Sequence, residues 1–158
     1  MWDPFKSYSD KARHIIERNN YIALATADRR GNPWVAAVFF VYDDDYNFYF
    51  LSSVDSRHGK NIASNDSIAG VIFDSTSPLG SSDSVQVCGR ASLVEKKDIK
   101  HVIETYVKRL FPTSKISSIK MYRPEDYLEP AEFRFFKVTP KDVYTAGENG
   151  KVEVNLKG

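Results

Sequence analysis

One cysteine, Cys88, stands among the 158 residues, so the chain cannot close an internal disulfide. Nor do cysteine and histidine cluster at zinc-ligand spacing, and no metal site is expected. Long apolar runs are missing as well, since no stretch approaches the roughly 18 residues that a membrane-crossing helix needs. Excess charge of one sign is also lacking. Lys plus Arg total 22 against 21 for Asp plus Glu, a net charge of +1, which argues against the broad basic surface used to hold nucleic acid or anionic lipid. The opening "MWDPFKSYSD" is polar and lacks the apolar core of a secretory signal. Together these absences lead to the expectation of a cytoplasmic protein with neither nucleic acid nor membrane as partner. G-x-G-x-x-G and P-loop patterns are absent, which argues against dinucleotide or triphosphate binding in those folds. No G-x-S-x-G turn supports a hydrolase.

What is present is aromatic and strand-like. Ten Phe and nine Tyr fall largely within short apolar runs. "YIALATA" (21–27), "WVAAVFFVY" (34–42), "FYFLSS" (48–53), "SIAGVIF" (67–73) and "SVQVCGRASLVE" (84–95) read as strands. "AEFRFFKVTP" and "DVYTA" read as two more, and "KVEVN" as a weak one. Turn signals separate them: "DRRGNP", the acidic "DDDYN", and the Ser/Pro/Gly-rich "DSTSPLGSSD". Helices are expected over 7–20, with Ala12, Ile15 and Ile16 on one face, and over 56–65, with Ile62 and Ala63 inward. A third is expected from Lys96 to Phe111, where Ile99, Val102, Ile103, Tyr106, Val107 and Leu110 make one stripe ended by Pro112. A further short turn of helix is expected over 113–122. The pattern is one mostly β domain over residues 1–158, barrel-like, with peripheral helices.

Between two apolar strands lies "SSVDSRHGKN" (52–61). Two readings are open. Ser56 caps a helix while Arg57, His58 and Lys60 are solvated, or the hydroxyls, the guanidinium and the free amides of the helix start seat a phosphate. His14 and His101 sit on amphipathic helices and read as surface residues. Cys88, mid-strand, reads as a buried structural thiol, and Asp43–Asp45 as a hairpin tip.

The ordered set "IALATADRRGNPWVAAVFFVYDDDYNFYFLSSVDSRHGKNIASNDSIAGVIF", then "SVQVCGRASLVE", then "FFKVTPKDVY", resembles the pyridoxamine 5′-phosphate oxidase-like split barrels over about residues 20–146. The resemblance implies an FMN-binding split β-barrel and a homodimer with its cofactor site at the interface. It places the FMN phosphate at Arg57 and His58, beside Ser52, Ser56 and Lys60, with Leu51 preceding. It lays the isoalloxazine ring along the backbone of Val35, Ala36, Ala37, Val38, Phe39 and Phe40. A residue from a later strand, Ser84 or the nearby Gln86, is supplied across the dimer.

The sequence also departs from the family's pattern. Val35 and Phe40 stand where the oxidases themselves carry basic residues, His58 stands for a phosphate-binding Lys, and Ala146 falls near a late aromatic. "TAGENGKVEVNLKG" lacks the substrate-binding Arg and His. Pyridoxamine 5′-phosphate is therefore expected to be a poor substrate, and the chain is similar to the short general-stress-protein branch. The resemblance implies an FMN-dependent oxidoreductase of undefined substrate, with no catalytic residue identified. The alternatives are a deazaflavin F420-dependent reductase, a carrier of flavin or haem without turnover, and a structural dimer.

Overall fold

The computed structural model describes residues 5–80, 83–110 and 122–157. In chain order these form α1 (Tyr8–Arg18), β1 (Tyr21–Ala27), β2 (Pro33–Phe39), β3 (Val41–Tyr42), β4 (Phe48–Ser53) and α2 (Arg57–Ser64). There follow β5 (Ser67–Phe73), β6 (Ser84–Leu93), α3 (Ile99–Leu110), β7 (Phe133–Gly147) and β8 (Gly150–Glu153). Strand order is β2-β1-β5-β6-β7-β4-β3, with β8 added to β7. Every pairing is antiparallel.

The two ends of that order, β2 and β3, are consecutive in the chain and separated by Phe40 alone. A sheet whose first and last strands are one stretch of backbone must curl round on itself. The result is a split β-barrel with peripheral helices. Period-2 alternation fills its interior: Ile22 and Leu24 from β1, Phe48 and Phe50 from β4, Val85 and Val87 from β6, and Phe136 from β7 are all at most 2% exposed. Phe40 is fully buried among them, and Ala12, Ile15 and Ile16 of α1 join the same cluster. The other face of β3, β4 and β7 is covered by α3, whose Ile99, Val102, Ile103 and Val107 pack on Val41, Tyr49 and Phe135. Each large apolar side chain so buried contributes roughly 1.5–3 kcal/mol.

The sequence pattern and the structure differ in a few places. The run 34–42 reads as one strand but divides at Phe40, whose amide still donates to the Asn20 carbonyl beside β1 at 3.0 Å while Val41 already pairs with Tyr49 of β4. Residues 131–146 read as two strands, yet β7 runs unbroken from Phe133 to Gly147. It absorbs Pro140 with a bulge, because Gly89 pairs with Pro140 and Cys88 with Asp142, leaving Lys141 extra. Gly89 permits this, since a Cβ there would lie 2.3 Å from the Thr139 carbonyl oxygen. The third helix begins at Ile99, after a turn closed by the Asp98 amide on the Glu95 carbonyl at 3.0 Å. Ala63 is exposed, not inward. Cys88 is exposed, because it shares the outward parity of Gln86 and not the inward parity of Val87. The helical turn expected over 113–122 lies, but for its last residue, outside the described residues.

One side chain ties α1, α3 and the Phe40 break together. The Arg109 guanidinium donates to the carbonyls of Ile16, Glu17 and Asn19, at the end of α1. It also lies 5.2 Å from the Phe40 ring centroid and 5.3 Å from that of Tyr42. A cation at a helix C-terminus meets both the unpaired carbonyls and the negative end of the helix dipole.

Candidate cofactor site

The stretch from Ser52 to Asn61 folds as a strand end, a tight turn and a two-turn helix. Ser56 is the N-cap: its Oγ accepts from the Gly59 amide at 3.1 Å and donates to the Ser53 carbonyl at 2.7 Å. The Ser56 amide is taken by Ser53 O and the Lys60 amide by Ser56 O. The amides of Arg57 and His58 are left without an acceptor among the described residues.

Arg57 is exposed, and its guanidinium carbon sits 4.6 Å from the centroid of the Trp34 ring on β2. Stacking fixes a side chain that would otherwise sweep through solvent. A carboxylate stands nearby. Asp28, in the β1–β2 turn, is held below its ordinary range by hydrogen bonds from Asn32, by the Arg30 amide, and to a lesser degree by the Arg57 charge.

His58 points the other way. It is 9% exposed, meets the Phe50 ring edge-on at 6.0 Å, and its Nε2 lies 2.7 Å from Ser52 Oγ. Asn61, also buried, donates to Thr26 Oγ1 at 3.0 Å and so anchors α2 to β1. Lys60 projects into solvent, 3.8 Å from Asp55.

The structure therefore brings Ser52, Ser56, Arg57 and His58 together around the start of α2, and adds Trp34. Leu51 faces away, against the α3 cluster. Along β2 the side chains alternate. Val38 and Phe40 are core, Val35 and Ala37 are exposed, and Ala36 and Phe39 are half-buried, so the stretch offers an outer edge and not a set of side chains. Ser84 and Gln86 sit three strands from β2, on the outward face. Gln86 Nε2 donates to Ser84 Oγ at 2.7 Å, while its Oε1 is buried with no partner among the described residues. Ser84 also receives Lys151 Nζ at 3.1 Å. One chain does not gather these two residues with Arg57.

That outward face is apolar. Cross-strand neighbours run Val35–Ala25–Ala69–Cys88 in one row and Ala37–Ala23–Val71–Gln86 in the next. Tyr21 at 59%, Val35 at 60% and Phe73 at 44% are left exposed on it.

The family model for pyridoxamine 5′-phosphate oxidase matches residues 8–147. The chain belongs to this family. A UPF0306 protein of Cronobacter sakazakii is 32% identical over 90 residues, which cover 56% of this chain and 62% of that protein. The barrel is similar to a haem-binding protein of Mycobacterium smegmatis, with TM-score 0.73, 18% identity, and coverage of 99% of this chain and 60% of that one. It is also similar to General Stress Protein 26 of Bacillus anthracis, with TM-score 0.61, 21% identity, and coverage of 93% and 98%. At such identities the structural likenesses establish the fold alone. The chain spans about three fifths of the length of the Cronobacter and Mycobacterium proteins.

Sequence reasoning missed two residues of this candidate site. Trp34 carries no local signal, because its partner Arg57 is on another element. Gly59 did carry one: a glycine inside a helix costs about 1 kcal/mol against alanine and calls for a packing reason. The reason is visible, since a Cβ at Gly59 would lie 2.7 Å from Val54 O and 2.8 Å from Ser53 O. Gly59→Ala, which stabilises an ordinary helix, is expected to destabilise this protein by about 1–3 kcal/mol in urea unfolding. An unchanged or raised midpoint would show that α2 is not pressed on the strand end.

Burial lowers the His58 pKa from the ordinary 6.5. The unfolded chain then binds the proton more readily than the folded one, so this group's contribution is complete above about pH 6.5 and is lost as the pH falls through the folded value. Unfolding midpoints measured from pH 7.5 to 5 are expected to fall more steeply for wild type than for His58→Gln. Parallel profiles would show His58 to be solvated.

Proposed function

We propose that the chain binds FMN noncovalently, holding the phosphate at the first turn of α2 and the ring along β2, and acts as an oxidoreductase. The observation that carries this reading is Arg57, pinned over Trp34 at 4.6 Å beside a helix start with two unclaimed amides. Guanidinium, hydroxyl and amide donors make a set suited to a dianion, and each bond to the charged group is worth about 1.5–3 kcal/mol. When bound, FMN would supply the electron-transfer chemistry, while the protein's part is to grip the phosphate, offer the β2 edge to the ring and exclude water. Nothing in the chain marks a protein acid or base, or a donor or acceptor.

The proposed assembly is a homodimer. The apolar outward face of β1, β2 and β5 calls for a covering partner, and a second copy would bring Ser84 and Gln86 to the other chain's site. Light scattering at micromolar concentration is expected to give twice the 18.0 kDa chain mass, and a monomer with FMN bound would contradict it. The absorption spectrum tests the cofactor. After incubation and desalting, the two-band spectrum of oxidised flavin is expected. A Soret band would favour haem carriage, F420 uptake in place of FMN a deazaflavin reductase, and no uptake of either a structural dimer.

A further inference from the structure

We infer that His58 does not touch the phosphate but is a positioning residue, orienting the Ser52 hydroxyl as a hydrogen-bond donor toward it. This rests on the FMN reading above. His58 stands where the family has a lysine, and a buried imidazole packed on Phe50 cannot replace a solvent-facing ammonium directly. Its Nε2 is instead committed to Ser52 Oγ at 2.7 Å.

A serine hydroxyl carries one proton and two lone pairs. If Oγ donates to Nε2, no proton is left for a ligand. If Nε2–H donates to Oγ, the hydroxyl proton is free to point at an anion. A phosphate dianion accepts and does not donate, so its binding selects the second arrangement and fixes the Nε2–H tautomer. Imidazole, hydroxyl and phosphate then form one chain of donors, each bond polarising the next. Burial of the ring favours its neutral form in this role. Arg57 is adjacent in sequence, and Arg134 on β7 is registered opposite Ser52, on the same face of the sheet as the Ser52 side chain. Lys60 and Asp55, the other charged groups of this turn, are exposed and face each other. A neutral histidine thus delivers through Ser52 a donor that lysine delivers as a charge.

Because the two residues act as a unit, their losses should not add. Ser52→Ala and His58→Leu are each expected to weaken FMN by about tenfold. The double variant should be no weaker than either single one. His58→Gln, which keeps an N–H donor near the Nε2 position, should recover most of the affinity, and riboflavin binding should not change in any of them. A product of the single losses in the double variant, equal losses for riboflavin, or no recovery with His58→Gln would overturn the inference. ¹⁵N NMR of the wild-type imidazole gives a second reading that needs no variant to fold. FMN should fix Nε2 as the protonated nitrogen while riboflavin does not, and an Nδ1–H tautomer in the FMN complex would contradict the relay. A wild type with no preference for FMN over riboflavin would be a different result, removing the phosphate site itself and the relay with it.

Discussion

Arg57→Ala is expected to weaken FMN by roughly 30- to 150-fold, the 2–3 kcal/mol of a lost charge-assisted hydrogen-bond pair. The side chain projects from the first residue of α2, makes no salt bridge to a described carboxylate within 4.0 Å, and is held over Trp34. Its removal should therefore cost the fold little, and the unfolding midpoint serves as the control. Arg57→Lys separates charge from shape. The ammonium keeps the charge but neither stacks flat on the indole nor offers a bidentate fork, so an intermediate loss is expected. Trp34→Ala should follow the same direction more weakly, because the guanidinium survives but loses its platform. Calorimetric titration of the four proteins with FMN gives the comparison. If Arg57→Lys is as weak as Arg57→Ala while Trp34→Ala has no effect, the stacked geometry is irrelevant to the ligand.

Arg109→Met is expected to destabilise the protein by about 2–4 kcal/mol, combining a charged hydrogen-bond set with a cation–π contact. Methionine fills much of the same space, so the loss isolates the guanidinium. Three carbonyls at the end of α1 and the faces of Phe40 and Tyr42 lose their cation together. For a chain of this size the melting temperature should fall by roughly 5–15 °C. Arg109→Lys should recover only part, since an ammonium lacks the planar guanidinium that lies against the Phe40 and Tyr42 rings. A shift under about 2 °C for Arg109→Met would reduce the residue to an ordinary surface arginine.

Most of the sheet is legible in the sequence because its strands have one face in a core. Ile22 and Leu24 alternate with Tyr21 and Ala23, and Val85 and Val87 with Gln86 and Cys88. The stripe from Ile99 to Val107 is legible for the same reason at period 3.6. What alternation does not carry is where the chain turns to close the barrel. The run through Phe39, Phe40 and Val41 is apolar without a break, so nothing in it marks the residue at which β2 leaves one edge and β3 joins the other.

The site divides along the same line. Ser56 as a cap and Arg57 as an exposed cation follow from local spacing. The inward turn of His58 does not, because it depends on Phe50 and Ser52 of the preceding strand and on the close seat that Gly59 permits. Cys88 misled for a related reason. A mid-strand position beside Gly89 suggests burial, but on a strand with one face in the barrel the parity set by Val85 and Val87 decides exposure.

The central claim is that the start of α2 recognises the phosphate of a flavin. Side-by-side titration of the wild-type protein with FMN and riboflavin, followed by quenching of flavin fluorescence, tests it most directly, because the two ligands share the ring and differ only in the phosphate. FMN is expected to bind at least about thirtyfold more tightly, the equivalent of 2 kcal/mol from the phosphate contacts. Equal dissociation constants for the two flavins would contradict the account.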